Sequence, residues 1–144
     1  MLHKETIGFE EADKTVQAII RYQNEINGLP VCICVVDDRG DLVQFVRMDG
    51  TVPMAAHMAR RKAYTAAMLR RDTLEVAERL KQPGTVPVNY GDNMITNVPG
   101  GVCIGLKTGG GVFRSVLGAI GVSGLPTGQE DDELAHIGLK ALTE

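Results

Sequence analysis

Three charged residues interrupt otherwise apolar patterns. Arg47 and Asp49 close the run LVQFVRMDG, and Lys62 sits inside the alanine-rich run PMAAHMARRKAYTAAML. Lys62 comes three residues after Ala59 and four before Ala66, so at helical spacing it flanks a face of small residues. A lysine in that position must snorkel to water or find an acid. A cluster of Arg47, Asp49 and Lys62 has two readings. One is a structural ion-pair network that pins a strand to a helix. The other is a site for a small anionic or carbonyl compound, with Arg47 and Lys62 supplying charge and Asp49 or His57 an acid or base. The spacing leaves both open.

Glycine is the second signal. The stretch from Pro99 to Gly124 holds nine of the 17 glycines. A P-loop requires Lys-Ser/Thr after its second glycine, where the lysine reaches the phosphates and the hydroxyl holds the metal. Gly105 and Gly110 have the first spacing, but Gly111-Val112 follows. A dinucleotide fingerprint requires G-x-G-x-x-G between a strand and a helix, whereas Gly118, Gly121 and Gly124 are spaced by three. Both nucleotide readings fail on chemistry.

Cys32 and Cys34 project from one face of a strand, with Cys103 expected on a neighbouring strand. Structural zinc favours C-x-x-C knuckles and four ligands, so three cysteines in this pattern read as small core residues. The histidines are His3, His57 and His136. His57 lies one helical turn before Arg60 and Arg61, where it can face solvent, an interface or a pocket. A lone histidine is more often structural or exposed than a ligand. No Ser/His/Asp order and no Cys/His pair is recoverable from spacing.

These residues need elements to position them. Thr6 is the expected cap of a first helix, in which Phe9, Ala12, Val16, Ile19 and Ile20 recur at helical spacing to about Glu25. The run VCICVVDDRGDLVQFVRM reads as a hairpin of two strands, the first apolar on both faces and therefore central. Residues 53–69 open with proline and continue in strong helix formers, with Ala55, Ala59, Ala63 and Ala66 on one face. Asp72 or Thr73 caps a further helix through Leu80, stopped by Pro83-Gly84. Strands are expected at about Val102–Lys107 and Val112–Val122, with a hairpin tip at Lys107 to Gly111. Thr127 caps the last helix, whose acidic first turn complements the helix dipole. The order predicts one α+β domain over residues 1–144, a mainly antiparallel sheet flanked by helices.

The bulk numbers agree with that class and narrow the partners. The chain has 144 residues, 44% hydrophobic and 23% charged, with no tryptophan. A formal charge of −3 and a pI near 5.6 speak against nucleic acid, although Arg60, Arg61, Lys62, Arg70 and Arg71 form a local basic cluster. No apolar run is long enough to span a membrane, and the N-terminal residues have no secretory h-region. An odd cysteine count without secretory context makes the cytoplasm the expected compartment.

In order along the chain, VVDDRGDLVQFVRMDG, PMAAHMARRKAYTAAMLRRDT, PGG and GAIGVSGLPTGQEDDELA resemble the GlcG/HbpS-like family, from about Glu11 to Ala141. That family includes haem-binding proteins and the C-terminal domain of PduO-type corrinoid adenosyltransferases. The resemblance implies an antiparallel sheet flanked by helices and assembly into homo-oligomers, often octamers. It also implies haem or a related small molecule as ligand, and an accessory role in small-alcohol or hydroxy-acid metabolism. By position, Arg47, Asp49, Lys62, Gly100, Gly101, Gly121, Val122, Ser123, Gly124 and Asp131 match the family pattern. His57 is the candidate haem-iron ligand. The amides of Gly121 to Gly124, leading toward a helix N-terminus, are a candidate anion seat. Between Gly101 and Gly118 the hairpin is longer than the family's. The expectation is a ligand-binding accessory protein rather than an enzyme. The alternatives are an enzyme at the Arg/Asp/Lys site and an assembly protein.

Overall fold

The computed structural model describes residues 1–107 and 113–143. Its elements are α1 (Phe9–Glu25), β1 (Cys32–Asp37), β2 (Leu42–Arg47), α2 (Pro53–Leu69), α3 (Thr73–Arg79), a 3-10 turn (Pro87–Tyr90), β3 (Gly101–Lys107), β4 (Phe113–Ser123) and α4 (Gly128–Lys140). The expected hairpin tip at Lys107 to Gly111 falls, beyond Lys107 itself, outside the described residues, as does the expected first residue of β4, Val112.

The strands form one antiparallel sheet in the order β2-β1-β4-β3. Period-two alternation divides the side chains of β1 between two cores. Ile33 and Val35 face α1 and α4, joining Val16, Ile19, Ile120, Val122 and Leu134. Cys32, Cys34 and Val36 face α2, joining Ala55, Ala59, Ala63, Ala66 and Ala119. Because both faces of β1 are covered, its apolar run is continuous and it lies inside the sheet. The fold is α+β, an antiparallel sheet flanked by helices.

Local chemistry explains most boundaries. Pro53 starts α2, where its missing N–H costs nothing, and Arg70 ends it in the left-handed region at φ 53°. Thr127 caps α4. Its hydroxyl accepts from the Glu130 N–H at 3.2 Å, and the Glu130 carboxylate accepts from the Thr127 N–H at 3.2 Å. The β1–β2 turn is held by the Asp37 carboxylate, which accepts from the Arg39 and Asp41 amides, with Gly40 at φ 84°.

Thr6 departs from expectation. Helix α1 starts after Gly8, whose N–H donates to the Glu11 carboxylate. The Thr6 hydroxyl instead donates to the Leu117 carbonyl and accepts from the Asp38 N–H, tying the N-terminal segment across β4 and the β1–β2 turn. A long-range partner outcompetes the local cap. Asp72 takes the expected N-cap position of α3, but its carboxylate turns away from the helix and accepts from the Cys103 N–H at 2.9 Å on the edge strand β3. Among the described residues no helix is long and apolar enough to cross a membrane.

Candidate functional site

Lys62 is 1% exposed, and its ammonium donates to Asp131 Oδ2 at 2.9 Å and to the Val122 carbonyl at 3.0 Å. Asp131, 3% exposed, accepts with its other oxygen from the Leu125 N–H at 3.1 Å. The side chain therefore runs from α2 past the end of β4 to the first turn of α4. Burial lowers the Lys62 pKa and raises that of Asp131, and the attraction between the two opposes both shifts. This overturns the expected cluster of Arg47, Asp49 and Lys62. Arg47 ends the edge strand β2 and is exposed, as is Asp49 just beyond it. Lys62 has turned inward to an acid far away in sequence, so it is not available to a substrate at that site.

The glycines serve this same junction. A Cβ on Gly121 would overlap the Ala59 carbonyl, and one on Gly101 would overlap the Lys62 carbonyl. Helix α2 thus rests directly on the backbone of β4 and β3, which its alanine face permits. Gly100, at φ 128°, leaves room for the Lys62 side chain. The Gly100 carbonyl accepts from the Val122 N–H at 2.9 Å. Gly121 and Ser123 lie in register opposite Cys34 and Cys32 of β1. From Gly121 to Ser123 the candidate anion seat is therefore part of the sheet, with Gly124 just beyond the end of β4. Its Val122 amide is committed to Gly100 and its Val122 carbonyl to Lys62.

All three cysteines are buried thiols. Cys103 lies on the same side of the sheet as Cys32 and Cys34 but not on a strand adjacent to theirs, because β4 intervenes and Cys103 faces Ala119. Burial pushes the Cys34 thiol up to about 12. Among the described residues no group of three or more His, Cys, Asp and Glu side chains is placed to hold a metal.

His57 occupies a different setting. With Arg60 and Arg61 it lines a groove of about 440 Å³ between α2 and the edge strand β2, together with Leu42, Phe45, Ala56 and Met94. Positions 57, 60 and 61 share one face of the helix. Arg61 is held in place, Nη2 donating to the Ile95 carbonyl at 3.3 Å and Nη1 to Met58 Sδ at 3.8 Å. The groove combines an imidazole, two guanidinium groups and an apolar wall. Spacing revealed the histidine and the basic pair. Leu42, Phe45 and Met94 were not visible as partners, because β2 and the loop after the 3-10 turn reach α2 only in the folded chain.

A second ionisable cluster escaped the sequence reading. His136 Nδ1 lies 3.3 Å from Asp132 Oδ2, and Nε2 lies 3.6 Å from Asp72 Oδ2. The two carboxylates, Asp132 first and then Asp72, raise the His136 pKa to about 10. The i, i+4 spacing of Asp132 and His136 was the local signal. The second aspartate comes from the start of α3.

Comparison with known proteins decides the family. A family model described as "Haem degrading protein HbpS-like" matches residues 7–140. The chain belongs to the HbpS-like family. This HbpS-like chain is 36% identical to Protein GlcG of Escherichia coli K12 over 97 residues, which are 67% of the chain and 66% of GlcG. It is 35% identical over 139 residues, 96% of the chain, to a 15.0 kDa protein of Citrobacter freundii described by its place in the dhaT-dhaS intergenic region, and 94% of that protein is covered. Among solved structures, protein ORFY of Klebsiella pneumoniae superposes with TM-score 0.85 at 27% identity, covering 99% of this chain and 94% of the other. A double mutant of Streptomyces reticuli HbpS gives 0.81 at 27%, covering 99% and 90%. The PduOC:heme complex gives 0.76 at 22% identity with 94% of each chain covered, a likeness of fold.

Proposed function

We propose that this HbpS-like chain is a small-molecule-binding accessory protein whose ligand is haem, held in the groove beside α2. One observation carries the reading. His57, Arg60 and Arg61 share a helix face against an apolar wall of Leu42, Phe45, Ala56 and Met94. The donor set fits the group. An exposed imidazole suits the iron, the apolar wall suits the macrocycle, and the guanidinium groups suit its propionates. Haem bound there would supply a redox-active iron with a strong visible spectrum. The names of the family and of the PduOC:heme complex support the same ligand.

The enzyme alternative at Arg47, Asp49 and Lys62 has lost its lysine to the Asp131 pair. Assembly into a homo-oligomer, an octamer by family resemblance, is part of the proposal. Exposed Val52, Met54 and Met68 on and beside α2 supply apolar surface for it. Three buried cysteines kept as thiols support a reducing, cytoplasmic setting. The link to small-alcohol or hydroxy-acid metabolism rests on family resemblance.

The test is a titration of haemin into the purified protein, followed by absorbance. A saturable shift of the Soret band that His57→Ala abolishes is the expected outcome. A spectrum indistinguishable from free haemin at every ratio would reject the haem reading.

A further inference from the structure

We infer that Arg60 and Arg61 make the groove beside α2 selective for a planar apolar acid through its carboxylates, whether or not that ligand carries a metal. The inference rests on the proposed haem site and names what that site recognises.

The argument begins with uncompensated charge. Helix α2 contains no Asp or Glu, so neither arginine has an acidic partner at i±3 or i±4 within the helix. None of the ion pairs among the described residues includes Arg60 or Arg61. The neighbouring cation, Lys62, is neutralised by Asp131 and faces the opposite way. Two adjacent guanidinium groups thus stand without a counter-charge in a chain whose net charge is −3. Arg61 is also under-bonded. Its two terminal nitrogens reach only a carbonyl and a thioether, and its buried Nε has no hydrogen-bond partner. A guanidinium held in that way is preorganised for a carboxylate, which pairs with it through parallel hydrogen bonds.

The groove then sets the rest of the ligand. Beside the arginines lie Leu42, Phe45, Ala56 and Met94, side chains that offer contact area and no hydrogen bonds. A small hydrophilic anion would leave that wall wet, and a neutral apolar molecule would leave both cations unpaired. A flat apolar body with carboxylates at its edge satisfies both requirements. A porphyrin with its two propionates has this chemistry. A macrocycle whose edge carries neutral amides does not.

Metal-free protoporphyrin IX and its dimethyl ester separate carboxylate recognition from iron ligation. Binding is read from porphyrin fluorescence anisotropy in the full chain. The acid is expected to bind at least tenfold more tightly than the ester, about 1.4 kcal/mol. Arg60→Gln should shrink that ratio several-fold. Arg61→Gln should do so more strongly, while Arg61→Lys restores part of it. Arg21→Gln, on α1, should change nothing. Circular dichroism establishes that each variant is folded, and Arg60 is the safer position because it is exposed. Equal affinity for acid and ester, in a protein that still shifts the haemin spectrum, overturns this inference and spares the haem reading. An acid preference that survives both glutamine variants overturns it as well. Failure of both porphyrins and of haemin removes the two together.

Discussion

Lys62 of α2 and Asp131 of α4 meet 2.9 Å apart across the end of the sheet, and each is almost wholly buried. The pair joins helices on opposite faces, with Val122 and Leu125 supplying the remaining hydrogen bonds. It is the cross-brace of the fold, placed where β4 ends and α4 begins.

Removing one member strands the other in a dry environment. Lys62→Met and Asp131→Asn are each expected to cost about 3–5 kcal/mol, read from urea denaturation. The double variant Lys62→Met/Asp131→Leu should cost much less than the sum, since no uncompensated charge remains. Additive losses would show that the two residues do not act as a pair.

The seat of α2 gives a second prediction. Gly121→Ala and Gly101→Ala each push a methyl group into a helix carbonyl and should destabilise by about 3 kcal/mol. Gly84 has open space around it but a φ of 84°, so Gly84→Ala should cost only about 1 kcal/mol of backbone strain. Thermal melts of the three variants distinguish overlap from strain. Equal losses at all three would mean that close approach is not what these glycines provide.

His136 makes stability depend on pH with a defined sign. Its folded pKa, about 10, lies above the ordinary 6.5, so the charged form is favoured by folding. The stabilisation is complete below pH 6.5 and is lost as pH rises through 10. His136→Gln should lower the urea midpoint at pH 6 and converge on the parent protein above pH 10. An NMR titration of the ring with a midpoint near 6.5 would contradict the assignment.

The cysteines should be chemically silent in the native state. Cys32, Cys34 and Cys103 are buried, and desolvation holds the Cys34 thiol near 12, far from the reactive thiolate. Ellman's reagent is expected to find almost no thiol in native protein and three after denaturation. Rapid labelling of a native thiol would place that cysteine at the surface.

Much of the architecture was legible in one dimension. Helix α2 was bounded at 53–69 by proline, propensity and its alanine face, and Thr127 with the acidic first turn after it announced α4. The two hairpins followed from apolar runs flanking turn residues. The site was less legible. His57, Arg60 and Arg61 were visible as one helical face, but the apolar wall opposite them was not. Of the expected caps Asp72 or Thr73, Asp72 does take the N-cap position of α3, but its side chain, like that of Thr6, bonds to a strand far along the chain.

The sequence by itself determined the elements, the buried central strand, the small face of α2 and the family, because periodicity, capping and motif order are properties of neighbouring residues. Only the tertiary structure decided that β4 lies between β1 and β3, that Lys62 finds Asp131 rather than Asp49, and that the glycine-rich stretch seats a helix. Those outcomes depend on which distant groups become neighbours when two faces of a sheet are covered. A buried charge takes the partner that burial leaves within reach, and local spacing carries no record of that choice.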